Sequence, residues 1–118
     1  MPLLQINSSK SKLSDSVMEE IHHAGALILA EATGKSISYV MVNLNLGSSL
    51  SFANDIESPC AYLEVKNVGT LSEETTHILS SKLTSMIAKT LNTEPNRIYI
   101  EFQESSRHLW GWNGKTFA

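Results

Sequence analysis

Apolar and polar residues alternate along two stretches of the chain. In Tyr39 to Leu46, one face carries Val40, Val42, Leu44 and Leu46, and the other carries Tyr39, Met41, Asn43 and Asn45. In Arg97 to Gln103, Ile98, Ile100 and Phe102 oppose Tyr99, Glu101 and Gln103. A period of two predicts half-buried strands. Leu3 to Asn7, headed by Pro2, and the apolar run Cys60 to Val65 supply two further strand candidates.

Between these stretches the period lengthens to three and four. Val17, Ile21, Ala24, Ile28 and Ala32 predict a helix. It begins near Ser14 to Ser16, with Ser16 and Glu19 at capping-box spacing, and stops at Thr33-Gly34-Lys35. Leu79, Leu83, Met86, Ile87 and Leu91 predict a second helix, opened by Ser72-Glu73-Glu74 and closed near Asn92, with Pro95 following.

The two halves repeat. Leu13-Ser14-Asp15 matches Leu71-Ser72-Glu73 at an offset of 58 residues. The same offset puts Gly34 on Asn92, Val40-Met41-Val42 on Ile98-Tyr99-Ile100, and Pro2 on Cys60. Each half, about 2–46 and 60–104, reads strand, helix, strand. The polar loop Gly47 to Ser58 joins them, and a tail, 107–118, follows. Two βαβ units paired through right-handed crossovers make one α+β domain: a four-stranded mixed sheet with two helices on one face. The opposite face then carries Tyr39, Met41, Tyr62 and Tyr99, an apolar patch that predicts oligomerisation.

Composition narrows the function. The chain has 118 residues, 42% of them hydrophobic, which suits an ordinary globular domain. A net charge of −3 with no basic stripe argues against a nucleic-acid partner. No apolar run is long enough to span a bilayer, and no secretory signal is visible, so a cytoplasmic location and no membrane partner are expected. The single Cys60 excludes an intrachain disulfide. His22, His23, His77 and His108 have no metal-ligand spacing, so neither a metal nor a cofactor is expected.

Pro2 has two readings. Proline is tolerated at the first residue of a strand, where its missing N–H does no harm. Alternatively, removal of Met1 makes it a secondary amine. A free α-amino group titrates at roughly 7.7–8.0. Burial or a nearby cation lowers that value and leaves a neutral base able to take a proton from carbon next to a carbonyl.

The segments PLLQIN, EATGKSISYV, SPCAYLEVKNVG, NRIYIEF and GWNGKTFA, in this order, resemble the macrophage migration inhibitory factor family of the tautomerase superfamily. The resemblance covers essentially the whole chain. It implies a homotrimer with a pocket at each subunit interface and keto–enol tautomerisation of phenylpyruvate-like acids or dopachrome derivatives. The catalytic base it implies is Pro2. The pocket lysine falls on Lys35, as carboxylate anchor and depressor of the proline pKa; read alone, Lys35 is a lysine stabilising a helix end. The backbone donor falls on Val68. Tyr99 is implied as a contribution from the neighbouring subunit, and Tyr39 as a rim aromatic. Trp112 and Phe117 wall the site or pack the C-terminus.

Departures from the family pattern are also legible. Glu101 stands where animal members carry asparagine, and Trp110 replaces a small aliphatic residue. The second thiol of Cys-x-x-Cys is absent after Cys60, and Gly47 replaces an aspartate linked to receptor recognition. A signalling or binding protein with a vestigial pocket is the alternative function. A third is hydration or decarboxylation of a small keto acid at Pro2. Arg97 and Arg107 are read as surface partners of Glu101 or Glu104.

Overall fold

The computed structural model describes residues 1–118. Strands β1 (Pro2–Ser8) and β2 (Met41–Asn45) flank helix α1 (Asp15–Thr33) in the first half. Strands β3 (Ala61–Val68) and β4 (Ile98–Ser105) flank α2 (Glu73–Thr90) in the second. The sheet order is β2-β1-β3-β4. β1 pairs parallel with β2 and antiparallel with β3, and β3 pairs parallel with β4. The expected α+β architecture is present, a four-stranded mixed sheet with its two helices.

One sheet face is apolar and meets the helices. Leu4, Ile6, Leu63 and Val65 pack with Ile21, Leu29, Leu79, Leu83 and Ile87 in a cluster of 12 buried residues. Burying side chains of this size stabilises by about 1.5–3 kcal/mol each. On α1 the fully buried line is Ile21, Gly25 and Leu29. Val17, Ile28 and Ala32 flank it, partly buried, so the core face is rotated from the one the periodicity predicts. At the centre of the rotated face, a Cβ on Gly25 would lie 2.8 Å from Leu4 Cδ2, so the glycine suits the close packing of α1 on β1.

The caps follow local chemistry. Ser14, rather than Ser16, caps α1 by accepting from the Val17 N–H at 3.3 Å. Ser72 caps α2 by accepting from Thr75 at 3.1 Å. Gly34 at φ 71° ends α1, and Asn92 at φ 48° follows α2, both in the left-handed region as predicted.

The other sheet face is open. Met41 and Tyr99 are each 65% exposed. β2 and β4 are both edge strands. Tyr39 is also exposed, but it lies in a 3-10 turn, Ile37–Tyr39, just before β2 rather than in the strand. No helix is long and apolar enough to cross a membrane.

Arg97 corrects a surface reading. Instead of pairing with Glu101 or Glu104, it donates to the carbonyls of Phe52, Asp55, Ser58 and Pro59 at 3.0–3.1 Å. Its nearest carboxylate is Asp55, at 3.8 Å. Arg97 therefore pins the connection between the two halves onto the start of β4. Cys60 is buried at the head of β3, as a small hydrophobe is expected to be.

Candidate functional site

The first candidate residue is placed by the sheet. Pro2 is fully buried and pairs with Asn67 across the antiparallel β1–β3 ladder. Proline donates nothing to that ladder. The Met1 carbonyl instead accepts from the Val68 N–H at 3.2 Å, which ties the chain's amino end to the end of β3.

Lys35 arrives from the end of α1. Gly34, in its left-handed conformation, turns the backbone out of the helix and sends the lysine toward the same spot. The Lys35 ammonium donates to Asn67 Oδ1 at 3.1 Å and to the carbonyl of Val68. The ammonium is thus held beside the end of β3 rather than left only to cap a helix end. Asn67 is 2% exposed and was not singled out by sequence reasoning. The available signal was its register: it falls on the helix-facing side of β3, where a polar side chain requires a partner.

A recess of about 400 Å³ opens here, lined by Met1, Lys35, Ser36, Tyr39, Val68, Arg107 and Phe117. A second recess, of about 250 Å³, shares Met1, Tyr39 and Phe117 with it and adds Pro2, Leu3, Met41, Trp110 and Trp112 among its walls. The aromatic wall is built from contacts between distant segments. Tyr39 meets Trp112 edge-on, with ring centroids 5.6 Å apart, and Trp112 stacks on Phe117 at 6.2 Å.

A small hairpin in the tail holds that wall. β5 (Gly111–Trp112) pairs with β6 (Lys115–Thr116) around Asn113 and Gly114, both at positive φ. Asn-Gly between strands is a strong hairpin signal, and the sequence reading of the tail left it unused. Arg107, just before the hairpin, donates from Nε to the Phe117 carbonyl at 2.8 Å. It lines the recess instead of pairing with a surface acid.

The electrostatics favour a neutral amine. Burial, then hydrogen bonding to Lys35 and the charge of that ammonium, push the Met1 amine down from its ordinary 8.0 to about 5. A cation disfavours a second positive charge beside it, and low solvation disfavours any charge. The head of β1 is therefore a place that favours the free base of an amino group.

Tyr99 and Glu101 lie elsewhere. They pair with Tyr62 and Glu64 on β3. Tyr62 precedes Asn67, the partner of Pro2, by five residues, or ~17 Å of extended strand. One chain brings Pro2, Lys35, Val68, Tyr39, Trp110, Trp112 and Phe117 together, but not Tyr99 or Glu101. Tyr99 packs edge-on against Phe52 at 5.0 Å instead.

With this geometry in view, the comparison with known proteins is direct. The family profile described as macrophage migration inhibitory factor matches residues 1–118. The chain belongs to the macrophage migration inhibitory factor family. It is 30% identical to the Xenopus laevis macrophage migration inhibitory factor over 118 residues, covering 100% of both chains. It is 33% identical over 91 residues to the Brugia malayi homologue, covering 77% of this chain and 78% of that one. The crystal structure of the Prochlorococcus marinus homologue superposes with a TM-score of 0.87 at 36% identity, covering 98% of this chain and 99% of the other. Membership supports a tautomerase or a function like that of the factor itself.

Proposed function

We propose that this chain is a cofactor-independent keto–enol tautomerase for phenylpyruvate-like or dopachrome-like substrates, with Pro2 as its base once Met1 is removed. The observation that carries this reading is a buried Pro2 paired with Asn67, the residue that also holds the Lys35 ammonium, at a chain end where burial first and that ammonium second lower the Met1 amine to about 5.

The chemistry follows from the contacts. Loss of Met1 removes the carbonyl that accepts from Val68, so that N–H becomes available to a substrate oxygen. The Lys35 ammonium attracts the substrate carboxylate. The neutral Pro2 nitrogen takes a proton from the carbon next to the keto group, and the electron pair moves onto oxygen. The resulting ammonium at Pro2 returns the proton to that oxygen, giving the enol. The reverse sequence gives the ketone. Tyr39, Trp110, Trp112 and Phe117 form an apolar wall for an aromatic substrate and thin the water around the base.

A homotrimer is part of the proposal. The two exposed sheet edges and the open face with Met41 and Tyr99 support it. In such an assembly, Tyr99 and Glu101 of one subunit are able to reach the Pro2 site of the next.

The test is phenylpyruvate tautomerisation by purified chain whose intact mass shows loss of Met1, compared with Pro2→Gly. The wild type is expected to turn over and the variant to lose at least roughly 100-fold in kcat/KM, in line with removal of a general base. Equal rates in the two proteins would overturn the tautomerase reading and leave a binding role for the pocket.

A further inference from the structure

We infer that Arg107 is a second anion-binding residue in the Pro2 recess, and that the substrates this site prefers are 2-oxo acids, or their enols, bearing a second carboxylate remote from the first. The inference rests on the tautomerase reading and narrows its substrate class.

Charge balance at the recess is the first argument. Its walls carry two cationic side chains, Lys35 and Arg107, and no acidic one, in a chain whose overall charge is −3. Neither cation is neutralised within the chain. The only ion pairs are Lys66 with Glu64 and Arg97 with Asp55. Glu104, the acid nearest in sequence, is engaged elsewhere, accepting from the Leu71 N–H at 2.6 Å.

Geometry is the second argument. The Arg107 Nε–H is committed to the Phe117 carbonyl at 2.8 Å, which anchors the guanidinium at the rim. Its two terminal nitrogens have no partner in the chain and present the planar fork that suits a carboxylate. Lys35 comes from the end of α1, and Arg107 from the turn between β4 and the tail hairpin, with Tyr39 and Phe117 among the walls they share. A monocarboxylate engages Lys35 and leaves the fork to solvent. A diacid with an apolar or aromatic middle engages both.

The experiment compares phenylpyruvate with its meta- and para-carboxy derivatives on processed wild type, Arg107→Gln and Arg107→Lys. The wild type is expected to favour at least one carboxy derivative over phenylpyruvate in kcat/KM. Arg107→Gln is expected to cut that preference roughly 10-fold, through KM, the size of one charge-assisted hydrogen bond in a half-solvated site. Arg107→Lys is expected to recover part of it. A uniform loss on all three substrates would overturn the inference, because it would mean that Arg107 only braces Phe117. No preference in the wild type overturns it as well.

Absence of turnover on every substrate instead strikes the tautomerase reading. Calorimetric binding of terephthalate and benzoate then tests Arg107 by itself. Tighter terephthalate binding that is lost in Arg107→Gln supports the second anion site, and equal affinity for the two ligands overturns it.

Discussion

The Lys35 ammonium donates to Asn67 Oδ1 at 3.1 Å, and Asn67 is the residue that faces Pro2 across the sheet. The buried amide, together with the Val68 carbonyl, therefore sets where the positive charge sits relative to the amino end. Asn67→Asp keeps the shape but adds a negative charge beside both groups. That charge favours the protonated amine and offsets the lysine. On the acid limb, at pH below the pKa of the base, kcat/KM for phenylpyruvate is expected to fall roughly tenfold, the equivalent of one unit in the base. An unchanged rate across pH 5–8 would show that Asn67 does not govern the base.

The pH–rate profile of the processed wild type carries the next prediction. The base acts as free amine, so activity rises with pH through its pKa and then levels. The same causes that lower the Met1 amine, burial first and then Lys35, act at the head of β1, so the acid limb is expected below the ordinary 8.0. Lys35→Ala removes the cation but not the burial. The limb then moves upward in pH, and KM rises by roughly 10- to 100-fold as the carboxylate anchor is lost. A limb that stays in place in Lys35→Ala would separate the lysine from control of the base.

Arg97 is expected to matter for stability rather than catalysis. Its side chain donates to four carbonyls and lies over the Phe52 ring, 5.5 Å from the centroid. Arg97→Ala leaves those carbonyls to find water and frees the connection between the halves. A loss of about 3 kcal/mol in urea unfolding is expected. Asp55 in the same loop is held below its ordinary carboxylate value by hydrogen bonds from Ser58 and Glu57. The stability it contributes is present above the ordinary carboxylate pKa and is lost as pH falls through the lower folded value.

Gly25 gives a packing prediction. Alanine there gains about 1 kcal/mol in helix propensity. The new methyl, however, meets Leu4 Cδ2 at 2.8 Å inside the core. Overpacking costs about 1–3 kcal/mol. The net expectation is destabilisation by about 1 kcal/mol, and a rise in melting temperature for Gly25→Ala would refute it.

The strands and helices were legible because their signals are local. Val40-Met41-Val42 and Ile98-Tyr99-Ile100 show their faces by alternation, and Ser72, Gly34 and Asn92 mark helix ends by backbone preferences that need no tertiary context. Where two signals competed locally, the reading slipped. Ser14 took the cap from Ser16, and the turn ending at Tyr39 shortened β2 at its start. Gly25 carried no apolar signal, so the true centre of the α1 core face was missed. The pocket was legible only by resemblance. The register of Asn67 says only that it needs a partner, and nothing in the local pattern of Arg107 marks it, since the partners of both come from other segments of the chain.

By itself, then, the sequence determined the repeated strand–helix–strand plan and which faces are apolar, because periodicity and capping act over a few neighbouring residues. Only the tertiary structure decided that the amino end, the residue after α1, the end of β3 and the tail hairpin converge. Convergence is a property of chain paths: the β1–β3 pairing puts Asn67 beside Pro2, and the left-handed Gly34 ends α1 where Lys35 reaches Asn67. The depressed amine follows from that convergence, because desolvation and a neighbouring ammonium act through space rather than along the chain.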